Sequence, residues 1–250
     1  MRAAMVDFKI KVAGQVAAVS AMFETTPLYC GAYLTQEDPD FAVAITPADL
    51  EFEQQKGREE ARLEGLRPRD FPDPYLERTA IQRKIAEHLF RWDTLVFHGS
   101  AIAVDGAGYL FTAKSGTGKS THTRLWRQAF RERAVMVNDD KPFLRITEAG
   151  VLVYGSPWSG KHGLETNIAV PLKGICLLER GTENRIRRAE PREMLMMLLQ
   201  QSNRPLDLRL MPKYMDLVDA LARQVPLWRL QCNMDPEAAA ISHAAMSAEG

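Results

Sequence analysis

The sequence predicts a mixed α/β protein, because strand-like and helix-like stretches alternate along its 250 residues. Apolar residues with a period of two, as in "DFKIKVAG", predict strands, and apolar residues three and four apart predict helices. A glycine-rich loop, "AKSGTGKS" from Ala113 to Ser120, stands between a predicted strand and a predicted helix. We therefore expect a small β-rich N-terminal region over residues 1–75 and a main domain with mixed sheets over residues 76–250.

Composition narrows the class of protein. The chain has 32 basic and 32 acidic residues and no net charge, which predicts no general attraction to nucleic acid or to an anionic membrane. Its three cysteines are widely spaced, which is typical of free thiols in a reducing compartment. The N-terminus lacks the apolar core of a secretory signal, and no run of about 18 apolar residues occurs. We expect a cytoplasmic protein.

The elements of the N-terminal region are predicted from the spacing of their apolar residues. "DFKIKVAG", "DFAVAITP" and "LEFEQ" are predicted strands, and the charged stretch from Glu53 to Pro74 is predicted to be a surface excursion or linker. "YLERTAIQRKIAEHLFRW" carries one apolar stripe at helical spacing and predicts a helix of about four turns.

The main domain begins with a hairpin. "TLVFHGSAIAV" and "GYLFTA" flank "DGAG", which is a hairpin signal. A helix is predicted from Lys119, and a strand over "VMVNDD" ends at Asp139 and Asp140. Later strands and helices are predicted in this order: strands at "VLVYGSPW" and "KGICLLERG", helices at "PREMLMMLLQQ" and "PKYMDLVDALARQ", a strand at "PLWRLQC" and a helix at "EAAAISHAAM".

The glycine-rich loop has the composition of a phosphate-binding loop. Glycines let several backbone N–H groups point into one concavity, and the following helix N-terminus adds to it. Lys119 is the candidate phosphate lysine and Ser120 the candidate Mg²⁺ ligand. Ala113 replaces the usual first glycine, a position that tolerates a small side chain. The candidate nucleotide-binding residues are Ser115, Gly116, Thr117, Gly118, Lys119, Ser120 and Thr121.

Two further patterns point to phosphoryl transfer. An apolar strand that ends in acid is where a nucleotide site draws its metal-binding carboxylate, here at Asp139 and Asp140. His98 ends the apolar strand before the hairpin. The antiparallel hairpin differs from the parallel crossover by which ordinary phosphate-loop NTPases reach this loop.

Together, "FHGSAIAV", "AKSGTGKS" and "VNDD" resemble the catalytic domain of HPr kinase/phosphorylase, a family related in fold to phosphoenolpyruvate carboxykinase. The resemblance covers roughly residues 94 to 180 and implies a short, divergent member with that phosphate-loop core. It implies ATP and Mg²⁺ as cofactors, Asp139 as the base beside His98, and Ser120 and Asp140 at the metal. Which aspartate takes which role stays open. Thr121 stands where the family has Glu, and the later "LEVRGLG"-like signature is missing.

The stretch "YGSPWSGKHGLETNIAVPLKG" supplies a third catalytic candidate. Its glycines predict a mobile segment, and Lys161 is the candidate that stabilises charge on the transferring phosphoryl group.

The predicted function is transfer of the γ-phosphate of ATP to a hydroxyl of a protein or peptide serine or of a small alcohol. One alternative is a nucleotide-binding regulatory module without transferase activity, which would not need His98 or the paired aspartates. Another is a carboxykinase-like enzyme, which would need more arginines and metal-binding histidines. The N-terminal region could bind the acceptor or form a homo-oligomer contact, and its residues leave both open.

Overall fold

The computed structural model describes residues 5–63, 65–114 and 116–248. The protein is a mixed α/β protein, as the sequence predicts. It divides into two compact units, residues 1–89 and residues 90–250. No helix in the described ranges is both long enough and apolar enough to cross a membrane.

Among its described residues, the first unit contains a three-stranded sheet and three α-helices. In chain order these are β1 (Val6–Val12), β2 (Gln15–Ala21), α1 (Thr25–Cys30), β3 (Phe41–Ala44), α2 (Pro47–Leu63) and α3 (Asp73–Leu89). β1 pairs with β2 antiparallel and β3 pairs with β2 parallel. The apolar stripe of α3 is buried as predicted, with Ile81 and Ile85 fully inaccessible to solvent.

Helix α2 corrects two sequence predictions, because it includes both "LEFEQ" and the first half of the predicted excursion. Thr46 and Asp49 cap its start, since Asp49 Oδ2 accepts hydrogen bonds from the Thr46 backbone N–H at 2.9 Å and from the Thr46 hydroxyl at 2.8 Å. Its charged residues are partly structural: Arg83 of α3 pairs with the buried Glu53, and Lys84 pairs with Asp49 at 2.8 Å. Partners from a distant helix therefore stabilise a segment whose composition suggests a linker.

The second unit contains nine strands and four α-helices among the described residues. Its elements are β4 (Thr94–Val96), β5 (Ser100–Val104), β6 (Ala107–Thr112), α4 (Lys119–Phe130), β7 (Ala134–Asn138), β8 (Phe143–Thr147), β9 (Gly150–Tyr154), β10 (Ala169–Arg180), β11 (Arg185–Arg188), α5 (Pro191–Gln201), α6 (Met211–Gln224), β12 (Leu227–Cys232) and α7 (Glu237–Ser247). The predicted hairpin is present as the antiparallel pair β5–β6. Short 3₁₀ turns precede β4, β7 and α6.

The sheet of the second unit has β10 at its centre. The first residues of β10 pair antiparallel with β9, and its later residues pair parallel with β6 on one side and with β12 on the other. The strand order runs β4-β8-β9-β10-β6-β5-β7, and β12 with β11 extends from β10. This arrangement brings the end of β6, where the glycine-rich loop begins, close to the end of β10.

Helices cover both faces of this sheet. Alternate residues of β6 belong to different apolar clusters: Leu110 packs with residues of α5 and α6, whereas Tyr109 and Phe111 pack with residues of α4 and α7. Because alternate side chains of a strand point to opposite faces of the sheet, β6 contributes to two separate apolar cores. The sheet edge between these layers carries the candidate site.

Candidate active site

The glycine-rich loop joins β6 to α4 and contains two glycines with positive φ. Gly116 has a φ of +75° and Gly118 a φ of +126°, values that residues with a Cβ rarely adopt. Gly118 caps α4, which begins at Lys119, so N–H groups of the first helical turn lack intrahelical partners. Ala113 is buried at the end of β6. Ser115 lies outside the described residues.

Lys119 lies close to the other charged groups of the site. Its Nζ donates to the backbone carbonyl of Ala113 at 3.2 Å, and burial lowers its pKa, opposed by the negative charges of Asp140 and Asp139. Ser120 is exposed at the start of α4, and Thr117 and Thr121 are partly exposed. The loop, the lysine and both carboxylates therefore occupy one region of the second unit.

Asp139 is buried, with 6% of its surface exposed. The Ser100 hydroxyl donates to Asp139 Oδ1 at 2.6 Å and lies 2.9 Å from the hydroxyl of Thr123 in α4. Thr123 in turn donates to the carbonyls of Lys119 and Ser120 at 3.4 Å. Asp139 is thus connected to the first turn of α4 through Ser100 and Thr123.

Asp140 is the accessible carboxylate of the pair, with 39% of its side chain exposed. His98 Nε2 lies 3.4 Å from Asp140 Oδ1. The resemblance implies that His98 lies near Asp139 and tunes its ionisation. In the structure the histidine contacts Asp140, the next residue along the chain, whereas Asp139 accepts a hydrogen bond from Ser100. The backbone fixes this placement, because Gly99 donates its N–H to the Asp140 carbonyl at 3.0 Å and His98 donates its N–H to the Gln201 carbonyl at 2.6 Å.

Burial and two lysines set the ionisation of this pair. Burial, with Lys141 and Lys119 nearby, lowers the pKa of His98 to about 3, so the ring is neutral near pH 7. The contact with Asp140 fits the distance of an ion pair, but a neutral ring can only form a hydrogen bond there. Burial raises the pKa of Asp140, and the same lysines limit that rise. A carboxylate with a raised pKa is better suited to accept a proton near neutral pH.

The segment from Gly155 to Ile168 lies against the paired aspartates. A Cβ at Gly160 would be 3.2 Å from Asp139 Oδ2, so glycine allows a close approach there. The Thr166 N–H donates to the Val137 carbonyl at 3.3 Å, and Ser159 bonds Glu165 within the segment. Lys161 directly follows Gly160, and its side chain is exposed.

Sequence reasoning missed Ser100, Asn138 and Lys141. Lys141 follows the aspartate pair and Asn138 precedes it, so proximity in the sequence was an available signal for both. Ser100 lies two residues after His98, on β5, which pairs with β7. Its contact with Asp139 depends on that pairing and has no local sequence signal.

The residues present fit a magnesium-nucleotide complex. No group of three or more His, Cys, Asp and Glu side chains that could hold a metal occurs in the described part of the chain. Mg²⁺ bound with phosphates, however, commonly takes only one or two protein ligands and keeps several waters. The exposed Ser120 hydroxyl and a carboxylate of the pair are oxygen ligands of that kind.

Comparisons with known proteins find similarity only among solved structures, and that similarity is distant. No family model matches the chain, and no curated protein matches it. Among solved structures it is similar to the Hpr(Ser) kinase/phosphatase from Coxiella burnetii, with 12% identity and a TM-score of 0.37, covering 62% of this chain and 99% of that one. At this TM-score the similarity carries no argument about function, which we infer from the geometry of the site instead.

Proposed function

We propose that the chain is an ATP- and Mg²⁺-dependent phosphotransferase that transfers the γ-phosphoryl group to a hydroxyl of a protein or peptide serine or of a small alcohol. The observation that carries this proposal is the placement of Asp139 and Asp140 beside Lys119 and the glycine-rich loop. The loop alone would explain nucleotide binding. An accessible carboxylate with a raised pKa at the same place supports a further step, removal of a proton from an acceptor.

The geometry favours Asp140 as the proton acceptor. It is more exposed than Asp139 and lies beside a neutral His98, whose N–H can donate to the carboxylate in the matching tautomer. Asp139 is connected to the first turn of α4 through Ser100 and Thr123. It binds Mg²⁺ together with Ser120. This order reverses the one that the family resemblance implies.

The transfer then requires no covalent protein intermediate. The acceptor oxygen forms a bond to the γ-phosphorus, the bond from that phosphorus to the β–γ bridging oxygen breaks, and the acceptor proton goes to Asp140. Lys119 and the loop amides bind the phosphate oxygens, and Lys161 adds positive charge from the Gly155–Ile168 segment. When bound, magnesium neutralises charge on the β- and γ-phosphates.

Lys119→Ala tests the proposal, with the exposed Lys56→Ala as the matched control. We expect Lys119→Ala to weaken MgATP binding by about tenfold or more, because a charged hydrogen bond is lost. Calorimetry measures affinity, and two assays measure transfer: label from γ-labelled ATP to a serine-peptide library and small alcohols, and release of phosphate to water. Both should be lost in Lys119→Ala and normal in Lys56→Ala.

Two results would overturn the proposal. A wild-type chain without affinity for any magnesium-triphosphate would exclude a nucleotide site. A chain that binds MgATP tightly but neither transfers label nor releases phosphate would be the regulatory module instead.

A further inference from the structure

Two hydroxyl groups are buried beside Asp139. Ser100, the first residue of β5, is inaccessible to solvent, and Thr123 in α4 is 2% exposed. A buried hydroxyl group destabilises a fold unless its hydrogen bonds are made. The contacts of this hydroxyl pair therefore indicate what the two residues do at the site.

The hydrogen bonds of the hydroxyl pair have one direction. A carboxylate only accepts, so the single proton of Ser100 is donated to Asp139 Oδ1, at 2.6 Å. The Ser100 oxygen can then accept from the Thr123 hydroxyl, which lies 2.9 Å away. This contact is shorter than the 3.4 Å contacts of Thr123 with two carbonyls of its own helix, so it is the stronger one. The chain of hydrogen bonds therefore runs from Thr123 through Ser100 to Asp139.

The bond from Ser100 distinguishes the two oxygens of Asp139. The terminal torsion of an aspartate is soft, so a carboxylate without hydrogen bonds is not held in one plane. Here Ser100 holds Oδ1, whereas Oδ2 accepts no hydrogen bond from a described residue and lies where a Cβ at Gly160 would be 3.2 Å away. Oδ2 is therefore the oxygen that is left for an external ligand.

Thr123 connects this bond to the start of α4. Residues three and four apart lie on the same side of a helix, which places Thr123 next to Lys119 and Ser120. Asp139 directly follows β7, which is a separate element. The hydroxyl pair thus joins β7, β5 and α4, and it limits the separation between Asp139 and the turn that carries Ser120.

We propose that Ser100 and Thr123 are positioning residues of the magnesium site: they fix Asp139 so that Oδ2 is left for Mg²⁺, at a set separation from Ser120. The inference rests on the proposed function and deepens it, because it names the residues that set the Mg²⁺ requirement of nucleotide binding. Both hydroxyl groups are buried, so neither contacts the nucleotide or the acceptor. Their removal should therefore change how strongly Mg²⁺ enhances ATP binding and leave metal-free binding of ATP as it is.

Calorimetry of ATP binding with saturating Mg²⁺ and with EDTA tests the inference. The ratio of the two affinities is the Mg²⁺ enhancement. We expect Ser100→Ala to lower this enhancement by about tenfold, because the lost bond is made to a charged group, and to change the affinity in EDTA by less than about twofold. Thr123→Val, which acts through Ser100, should lower the enhancement by about threefold.

Two further substitutions are the controls. Thr123→Ser keeps the hydroxyl group and should keep the wild-type enhancement. Thr79→Val removes a threonine of α3 whose hydroxyl donates to the Tyr75 carbonyl at 3.0 Å, four residues earlier in the same helix. It is matched to Thr123→Val in chemistry, lies outside the site and should also behave as wild type.

A double-mutant cycle shows whether Ser100 acts through Asp139. Asp139→Asn should itself lower the enhancement, and adding Ser100→Ala to it should change the enhancement further by less than about twofold. If Ser100 supports only the fold, its removal lowers ATP affinity with and without Mg²⁺ alike, and the losses add in the double variant. Denaturant unfolding in EDTA shows whether each variant is folded.

The outcomes separate this inference from the proposed function. If the wild type does not bind MgATP, the proposed function fails. If MgATP binds and Ser100→Ala keeps the full enhancement, or loses affinity equally in EDTA, the positioning role is overturned and the proposed function stands. Should Ser100→Ala not fold, Thr123→Val and Thr123→Ser decide, and an equal enhancement in these two variants overturns the inference.

Discussion

Asn138 organises the turn that carries the two aspartates. Its Oδ1 accepts the backbone N–H groups of Asp140 at 2.8 Å and Lys141 at 2.7 Å, and its Nδ2 donates to the carbonyl and hydroxyl of Ser156. One buried carboxamide thus fixes both the turn and the start of the segment that places Gly160 against Asp139. The bonds of Asn138 to the backbone of Asp140 and Lys141 are local and could be predicted from "VNDD". The contact with Ser156 depends on the fold.

The division of roles between Asp139 and Asp140 is open to test by two single substitutions. We expect Asp140→Asn to keep MgATP affinity but to lower turnover by about 10²-fold or more, because an amide cannot accept the acceptor proton. Asp139→Asn should instead weaken the dependence of binding on Mg²⁺. Phosphate release and calorimetry at several Mg²⁺ concentrations measure both effects.

The opposite pattern would restore the order implied by the family resemblance. Normal turnover in Asp140→Asn, with turnover lost and affinity kept in Asp139→Asn, would make Asp139 the proton acceptor. Lys119→Ala serves as the reference for lost binding in the same assays.

At the scale of elements, α4 is fixed to α7 by a buried polar network. Trp126 Nε1 donates to Ser242 Oγ at 2.9 Å and lies 3.1 Å from His122 Nε2, and Ser242 donates to the Ala238 carbonyl at 2.7 Å. His122 is only 2% exposed, and its Nδ1 has no hydrogen-bond partner among the described residues. Protonation would place an N–H on Nε2, and this nitrogen could then no longer accept the hydrogen bond from Trp126.

This network predicts a loss of stability in acid. Burial lowers the pKa of His122 from 6.5 to about 4, so the unfolded chain binds this proton at higher pH than the folded chain. The contribution of the neutral ring is complete above pH 6.5 and is lost as the pH falls to about 4, by about 3 kcal/mol. Denaturant titrations should show a smaller acid-induced loss in His122→Gln than in wild type.

The exposed His162→Gln is the control for that experiment and should follow the wild type. His98, whose pKa is also lowered by burial, gives both proteins a remaining dependence on pH. An unchanged slope in His122→Gln would show that the ring does not titrate in this range.

Local sequence patterns predicted the helices and strands better than they predicted the contacts between those elements. The β5–β6 hairpin, the start of α4 at Lys119 and the stripe of α3 follow from turn residues, glycines and apolar spacing, which act within a few residues. Helix α2 was missed because ion pairs from α3 stabilise it. The contact of His98 with Asp140 and that of Ser100 with Asp139 depend on which strands pair, and one sequence does not specify this by periodicity.

At the scale of the whole molecule, every described residue of the candidate site lies in the second unit. His98, the loop, the aspartate pair and the Gly155–Ile168 segment all belong to residues 90–250. The cores that hold them, one beside α5 and α6 and one beside α4 and α7, are built from residues of the same unit. Binding energy at the site should therefore stabilise this unit.

Calorimetric unfolding tests this expectation. A ligand at 100 times its dissociation constant adds about 2.7 kcal/mol, which raises the transition of a unit of this size by roughly 5–10 °C. We expect MgATP to raise one transition and leave the transition of residues 1–89 unchanged. Lys119→Ala should abolish the shift, and an equal shift of both transitions would contradict the expectation.

Strand β10 places a constraint on how this chain can change in length. Ala169 to Pro171 pair with β9, and the strand continues with Leu172 opposite Gly108 and Gly174 opposite Tyr109, so Lys173 is an extra residue between two pairings. Because strand side chains alternate between faces, one residue more or fewer here would turn one half of the strand inside out relative to the other. Homologous chains should therefore differ in length at the turns on either side of this strand and keep the count within it.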